Sequence, residues 1–185
     1  MNFAQDSFVE YLVKKEKSKK DLLVYAGAGL LGAVVIILGV IIMFMTRLPA
    51  IAFFCLIGAV MLVWYLTTRR NVEFEYAVTN GYVSVDKIIH KSSRKRLTSF
   101  ECSDVEEYGN YEDAAEKLAV KRVDARVFAC SSPEGKGAKY IITRSKKTGY
   151  TIVVLDVNEN MEQAMKAFFP RQLRAELIQK ERERR

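Results

Sequence analysis

The chain has 185 residues, a formal net charge of +7 and a hydrophobic fraction of 50%. Residues 71–185 hold 21 Lys and Arg against 18 Asp and Glu, and this weak basic excess argues against a dedicated nucleic-acid binder. The three cysteines, Cys55, Cys102 and Cys130, have no CxxC spacing, which argues against a disulfide framework or a zinc knuckle.

The N-terminal segment, residues 1–21, is basic and amphipathic. Its apolar residues are spaced roughly as on one face of a helix: Phe3, Phe8, Tyr11 and Leu12. A cluster of five lysines follows them. The apolar run that begins at Leu22 is too long for the core of a signal peptide and lacks a cleavage site. We therefore predict a short helical approach to a retained membrane segment.

Residues 22–68 predict a transmembrane hairpin. Arg47 is the only formal charge in this stretch, and it divides the stretch into spans over residues 22–46 and 48–68, each near the ~20 residues that cross a bilayer. Positive residues in short flanks stay on the cytoplasmic side. Since lysines precede the first span and Arg69 and Arg70 follow the second, we expect a two-span protein of the cell membrane with both termini cytoplasmic.

Small residues in the first span predict close helix packing. They form two pairs at a spacing of four, which allow backbones to approach closely in lipid: Ala28 with Gly32, and Gly29 with Ala33. The contact lies either inside the hairpin or against a second membrane protein. Neither span contains a charged or amide side chain, so we expect an anchor and not a transport pathway.

The first part of the soluble region predicts a β-hairpin. Apolar and polar residues alternate over residues 72–79, and a second such run covers residues 82–90. Asn80-Gly81 lies between them, and a two-residue type I′ turn needs positive φ at both positions. Continued pairing would set Glu75 opposite Asp86, two like charges. We expect a bulge or a strong twist at that point.

The rest of the soluble region predicts more strands and a closing helix. The acidic segment 104–119 should contain a short helix over residues 110–119. Further strands are predicted over residues 94–102, 123–130, 139–144 and 150–157. Short strands joined by tight turns indicate an α+β or mainly β domain over residues 71–170, folded as a small antiparallel sandwich or barrel.

The closing helix is predicted over about residues 159–169. Met161 and Met165 lie on one helical face, and Asn158 or Asn160 is a suitable N-cap. Pro170 interrupts the helical pattern, and residues 171–185 form a charged C-terminal helix or tail.

Two stretches of the soluble region resemble known proteins. Residues 75–85, with their Asn-Gly turn, and Arg94-Lys95-Arg96-Leu97 are similar to the first hairpin and third strand of bacterial PH-like domains attached to a membrane hairpin. Asp86-Lys87-Ile88 and residues 91–96 resemble a family of small two-helix membrane proteins of Gram-positive anaerobic bacteria, a domain of unknown function. The resemblance implies a membrane α-hairpin followed by a PH-like antiparallel sandwich or barrel closed by a C-terminal helix. The long acidic segment 104–119 departs from the shortest members of that fold.

The basic hairpin after the second predicted strand is the candidate binding site. Its residues are Lys87, His90, Lys91, Arg94, Lys95 and Arg96. Anionic headgroups attract juxtamembrane cations by ~1 kcal/mol per Lys or Arg. We therefore expect this turn to rest on the inner leaflet or to bind an acidic partner, and an ordinary solvated turn is the alternative.

The sequence contains no recognisable catalytic constellation. His90 is the only histidine and lacks a nucleophile motif, Gly135-Lys136-Gly137 is not a P-loop, and the acidic segment has no EF-hand spacing. We expect a non-enzymatic protein without cofactor or metal. The predicted function is a membrane-anchored cytoplasmic binding or scaffold module that recognises a protein partner or anionic lipid headgroups. The alternative is an accessory subunit of a membrane complex assembled through the hairpin.

Overall fold

The computed structural model describes residues 8–68 and 70–183. They form two compact units. A helical unit runs from Lys17 to Val72, and a β-rich unit combines the residues before Lys17 with those from Glu73 onward. The β-rich unit is therefore built from two separate stretches of chain. Phe3 and Arg69, on which two of the predictions rely, lie outside the described residues.

The helical unit consists of two apolar helices, α1 (Lys19–Thr46) and α2 (Pro49–Thr68). The apolar stretches of α1 and α2 have mean hydropathies of 2.8 and 2.3 over 18 residues. Both helices are therefore long and apolar enough to cross a bilayer. The N-terminus of α1 is capped by its own first turn. The backbone N–H of Ser18 donates to the carboxylate of Asp21 at 3.0 Å, which satisfies a donor at the helix start.

The first sheet of the β-rich unit contains four strands. They are β1 (Phe8–Lys14), β2 (Val72–Thr79), β3 (Tyr82–Ile89) and β4 (Ser93–Glu101), arranged in that order. Asn80 and Gly81, between β2 and β3, have φ values of 48° and 81°. These positive values confirm the predicted two-residue turn, and Asn and Gly are the residues that adopt it at least cost.

Strand β1 corrects the prediction that residues 1–21 approach the membrane as a helix. It pairs antiparallel with β2 along its whole length. The helical prediction was wrong because the apolar residues of this segment also fit a two-residue period. Val9, Tyr11 and Val13 lie on the sheltered face of the strand, while the residues between them are exposed.

The second sheet is mixed, whereas the sequence predicts antiparallel strands. Its strands are β5 (Val105–Asn110), β6 (Ala125–Ala129), β7 (Lys139–Ser145) and β8 (Gly149–Leu155), in the order β5-β7-β8-β6. Strand β6 runs parallel to β8. The reason is the helix α3 (Tyr111–Val120), which carries the chain from β5 to β6 as a crossover connection. The predicted helix in the acidic segment is present, but β5 in the same segment was not predicted.

The core lies between the two sheets. Its fully buried residues include Tyr76, Val83, Val85, Ile141 and Val153. The hydroxyl of Tyr76 donates to the carbonyl of Ala129, so a hydrogen bond links the sheets through the core. The described residues form a sandwich and contain no closed barrel.

The predicted closing helix is confirmed as α4 (Glu159–Lys166). Met161 and Met165 are fully buried. The side chain of Asn158 accepts a hydrogen bond from the Met161 N–H at 2.8 Å, so Asn158 is the N-cap. The chain continues after Pro170 as helix α5 (Arg171–Glu183).

Candidate functional site

A basic turn joins β3 to β4 at His90, Lys91 and Ser92. The N–H of Ser92 donates to the carbonyl of Ile89 at 3.2 Å. His90 and Lys91, at the centre of the turn, have φ values of 53° and 55°, as in a type I′ turn. The structure places all six predicted binding residues on this hairpin, where Lys87 is half-buried and the others are exposed.

This turn lies at a particular end of the first sheet. β1 ends at Lys14, before α1, and β2 begins at Val72, after α2. Consecutive strands joined by tight turns run antiparallel. β3 therefore ends, and β4 begins, at the end of the sheet where Lys14 and Val72 lie. We call this the proximal end, defined by Lys14, Val72 and residues 87–96. The Asn80-Gly81 turn lies at the distal end.

Two of the predicted residues, Arg94 and Arg96, neutralise buried carboxylates. Arg96 holds Asp86 in a fork, with Nε to Oδ1 at 2.8 Å and an Nη2 to Oδ2 contact at 3.1 Å. Arg94 donates to Glu75, and its Nη1 lies 3.9 Å from Asp86. The carboxylate side chains are only 8% and 5% exposed for Glu75 and Asp86, against 57% and 47% for the arginines.

The two carboxyl groups respond differently to this environment. Hydrogen bonds from Arg96 hold the pKa of Asp86 below its usual value, despite burial. Burial raises the pKa of Glu75, and the nearby guanidinium of Arg94 offsets only part of that effect. A hydrogen bond and the negative charge of Glu10 raise it further. Asp86 therefore stays ionised to a lower pH than an ordinary aspartate, whereas Glu75 is protonated more readily than an ordinary glutamate.

An irregular register brings Arg96 to Asp86. Val85 pairs with Thr98, but Asp86 pairs with Arg96, so Leu97 is an extra residue on β4. The sequence predicts a bulge or strong twist where Glu75 approaches Asp86. The structure has a register shift between Val85 and Asp86, in the pairing of β3 with β4. It sets a cation opposite the buried anion, which relieves the repulsion between the two carboxylates.

The three lysines of the site are arranged differently from the arginines. Lys87 lies directly opposite Lys95 in the β3–β4 pairing, so both side chains emerge on one face of the sheet. Lys91 occupies the turn that joins their strands. None of the three takes part in an ion pair within residues 8–68 and 70–183.

Sequence reasoning missed the carboxylates of this site. Glu10, Glu75 and Asp86 read as polar positions of alternating strands, and the available signal was the predicted meeting of two like charges. It also missed Lys147, whose ammonium donates to the carbonyl of Arg96 at 2.6 Å. In the described part of the chain, no group of three or more His, Cys, Asp or Glu side chains could hold a metal ion.

The predicted helix-packing residues divide between two surfaces. Ala28 and Gly32 are buried in the helical unit, and a Cβ on Gly32 would lie 3.0 Å from a Val63 methyl group. Gly29 and Ala33 are exposed and line an apolar groove of about 470 Å³. A close approach of the two helices at Gly39 was not predicted. A Cβ on Gly39 would lie 2.6 Å from the Cβ of Cys55.

The family model of the bacterial PH-like domain (DUF6106) matches residues 5–175. The chain belongs to this family. The match includes both the helical unit and the β-rich unit, so it confirms the predicted resemblance and a PH-like sandwich closed by a C-terminal helix. No curated protein and no solved structure matches the chain.

Membership of the PH-like family narrows the class of function. PH-like domains are often binding modules. A fold does not by itself select a ligand, however, so the ligand has to be inferred from the chemistry of a site. In this PH-like domain, the proximal end combines a lysine-rich turn with arginines that are already engaged by carboxylates.

Proposed function

We propose that this PH-like protein is a membrane-anchored binding module whose proximal end recognises anionic lipid headgroups on the cytoplasmic face of the membrane. One observation carries the proposal. The basic turn lies at the end of the sheet where β1 leaves for the helical unit and β2 returns from it. A turn at the distal end would have no such relation to the membrane.

The pairing of β1 with β2 supports a hairpin that crosses the membrane twice. β1 precedes the two helices and β2 follows them, yet the strands are hydrogen-bonded neighbours. This pairing supports an arrangement in which both ends of the helical unit emerge on the same side of a bilayer. The lysines before α1 and Arg70 after α2, against Arg47 alone between the helices, favour the cytoplasmic side.

The segments that connect the proximal end to the two helices are short. Three residues separate Thr68 at the end of α2 from Val72 at the start of β2, and four peptide steps reach at most about 14 Å. Four residues separate Lys14 from Lys19. Because each Lys or Arg near an anionic leaflet contributes ~1 kcal/mol, the three lysines of the turn would add a substantial attraction.

A site-specific label on the full chain tests this proposal. Ser92 lies in the turn and Thr79 at the distal end, so S92C and T79C, each with C55A, would carry a fluorophore in lipid nanodiscs. Burial raises the pKa of the Cys102 thiol to about 12 and of the Cys130 thiol to about 11, so neither should compete for the label.

The expected result is a difference between the two labelled positions. Anionic lipid should protect the Ser92 label from a water-soluble quencher, relative to nanodiscs of neutral lipid, and the Thr79 label should stay equally accessible in both. Equal access at Ser92 in neutral and anionic nanodiscs would refute headgroup recognition by this end.

The groove on the helices favours a second candidate, an accessory subunit of a membrane complex. Gly29 and Ala33 line this groove and are not used to pack α1 against α2. G29L with A33L should then abolish co-purification of a membrane-protein partner. G27L is the matched control, since a Cβ at Gly27, like one at Gly29, would meet no atom within 4 Å. An unchanged partner set in the double variant would exclude assembly through this groove.

A further inference from the structure

The two turns of the first sheet share a backbone conformation but differ in how well their residues suit it. Both central residues have positive φ in each turn, Asn80 and Gly81 at the distal end and His90 and Lys91 at the proximal end. Histidine tolerates positive φ better than most residues. Lysine has no such tolerance, and Lys91 stands where the distal turn has glycine. The proximal turn therefore keeps a lysine at a position that glycine would occupy with less strain.

A second strained feature lies beside this lysine. Lys87 and Lys95 are directly opposite one another on neighbouring strands, and like charges in that relation destabilise a sheet. No described carboxylate forms an ion pair with either side chain. An anion bound between the lysines would relieve the repulsion.

The arginines of the same hairpin are not available for that task. Moving Arg96 to an external anion would leave Asp86, 5% exposed, without its fork of hydrogen bonds. A buried charge that loses its partner strongly destabilises a fold. Arg94 donates one hydrogen bond to Glu75, whose side chain is only 8% exposed. The five Lys and Arg side chains of this hairpin thus have two roles, and the three lysines form no ion pair with a described carboxylate.

We propose that Lys91, Lys87 and Lys95 form the headgroup-binding tip of the domain, and that the turn keeps lysine at a glycine-type position so that its ammonium group contacts lipid phosphate. This inference rests on the proposed function, in which the proximal end meets an anionic membrane. Arg94 and Arg96 are the internal frame that holds the two strands in register. The occupant is the phosphate of an anionic membrane lipid.

The test compares substitutions of Lys91 in the full chain, using the Ser92 label in nanodiscs of increasing phosphatidylglycerol content. K91G should raise the melting temperature by about 2 to 4 °C, because it relieves the positive-φ strain. The same variant should weaken the apparent affinity for phosphatidylglycerol about five-fold, the effect of one lysine. K91Q should lose the same affinity without the thermal gain, and K87Q with K95Q should lose about twenty-five-fold.

R174Q provides a control for the loss of one positive charge elsewhere. Arg174 is exposed on α5, which follows Phe168, and Phe168 packs against Gly81 at the distal turn. This variant should bind as the parent protein does. Inorganic phosphate added to neutral nanodiscs serves as a second arm. Protection of the Ser92 label by phosphate alone would show a free-phosphate site and overturn the lipid assignment.

The outcomes separate this inference from the proposed function. If the parent protein shows no dependence on anionic lipid, the proposed function fails, and this inference fails with it. If the parent depends on anionic lipid but K91G and K91Q retain its affinity, the proposed function stands and the role of Lys91 is refuted. A K91G variant that melts below the parent would refute the strain argument.

Discussion

Replacement of Arg96 by Gln should destabilise the β-rich unit strongly, although Arg96 is half-exposed. The side chain forms a fork of two hydrogen bonds with Asp86, which is 5% exposed. Glutamine can occupy similar space but cannot neutralise the carboxylate. The variant therefore leaves a buried anion without the positive charge of its main partner. The resulting loss of stability is much larger than that of losing a surface ion pair.

The magnitude follows from the surroundings of Asp86. Breaking a fully buried ion pair costs about 3 to 5 kcal/mol. Two features reduce that value here, since water reaches 47% of the Arg96 side chain and the Nη1 atom of Arg94 remains 3.9 Å from Asp86. We expect a loss of about 2 to 3 kcal/mol in the free energy of unfolding. At about 4 °C per kcal/mol, the melting temperature should fall by about 10 °C.

Thermal unfolding of the full chain in neutral detergent micelles, followed by the circular dichroism of the sheets, measures this loss. R144Q is the matched control, because Arg144 is 77% exposed and pairs with a half-exposed Glu106 at 3.6 Å, a contact worth under about 1 kcal/mol. The double variant D86N/R96Q removes the stranded charge and should recover at least half of the loss. A double variant whose loss equals the sum of the single losses would refute the role assigned to Arg96.

The pH dependence of the same variant provides an independent check. In the parent, the folded-state pKa of Asp86 lies below its usual value, so its stabilising contribution is complete above the unfolded-state pKa and is lost as pH falls through the folded-state pKa. Without Arg96, burial should raise this pKa. Protonation then removes the stranded charge, so the difference between parent and R96Q should be smaller at pH 4 than at pH 7.

Three further substitutions test other parts of the structure. G39L should lower the thermal stability of the helical unit, because Cys55 fills the space beside Gly39. Trp64 fluorescence measures the unfolding, and G27L is the control, since a Cβ at Gly27 would meet no atom within 4 Å. Burial holds the folded-state pKa of Glu75 above its usual value, so the parent should gain stability over E75Q as pH falls from the folded-state pKa towards the unfolded-state pKa. Equal slopes of unfolding free energy against pH would contradict this. N158A should lower the free energy of unfolding by about 1 kcal/mol, because it removes the side-chain oxygen that accepts from the Met161 N–H. N158D should cost much less, because aspartate keeps such an acceptor.

The parts of the fold that could be predicted from sequence are those with local signals. The Asn80-Gly81 turn sets the β2–β3 hairpin through its own backbone preference. Helix α4 combines a cap at Asn158 with buried methionines one turn apart. Neither feature needs knowledge of a distant partner, so composition and spacing over fewer than ten residues suffice.

The parts that could not be predicted depend on residues far apart in the chain. β1 is stabilised by a strand that begins after 57 intervening residues, and its short apolar pattern fits a helix almost as well as a strand. The six candidate residues lie on one hairpin, as their sequence positions predict, but their division into arginines and lysines depends on contacts between strands. Arg94 and Glu75 are 19 residues apart, so the spacing of cations along β4 gives no sign that two of them are engaged.

The pairing of β1 with β2 also makes the stability of the β-rich unit depend on the helical unit. In an unfolded chain, the 57 residues between these strands must be closed into a loop. When α1 and α2 are paired with one another, the strands are joined to the helices by linkers of only four and three residues. The entropic cost of closing a loop of n residues scales as (3/2)RT ln n, and the shortened loop behaves as about nine residues. Pairing of the helices therefore reduces the closure cost by about 1.5 kcal/mol relative to the unfolded chain.

This value is a sizeable fraction of the 5 to 15 kcal/mol that stabilises an ordinary domain. A fragment of residues 71–185 would lack β1 altogether and expose the edge of β2, including positions beside Phe74 and Tyr76 that are buried in the full chain. Binding measured on such a fragment would therefore report a damaged sheet. A substitution that separates α1 from α2 should lower the melting temperature of the β-rich unit as well, although none of its own contacts has changed. An unaltered melting temperature of the sheets in G39L would show that β1 docks without help from the helices.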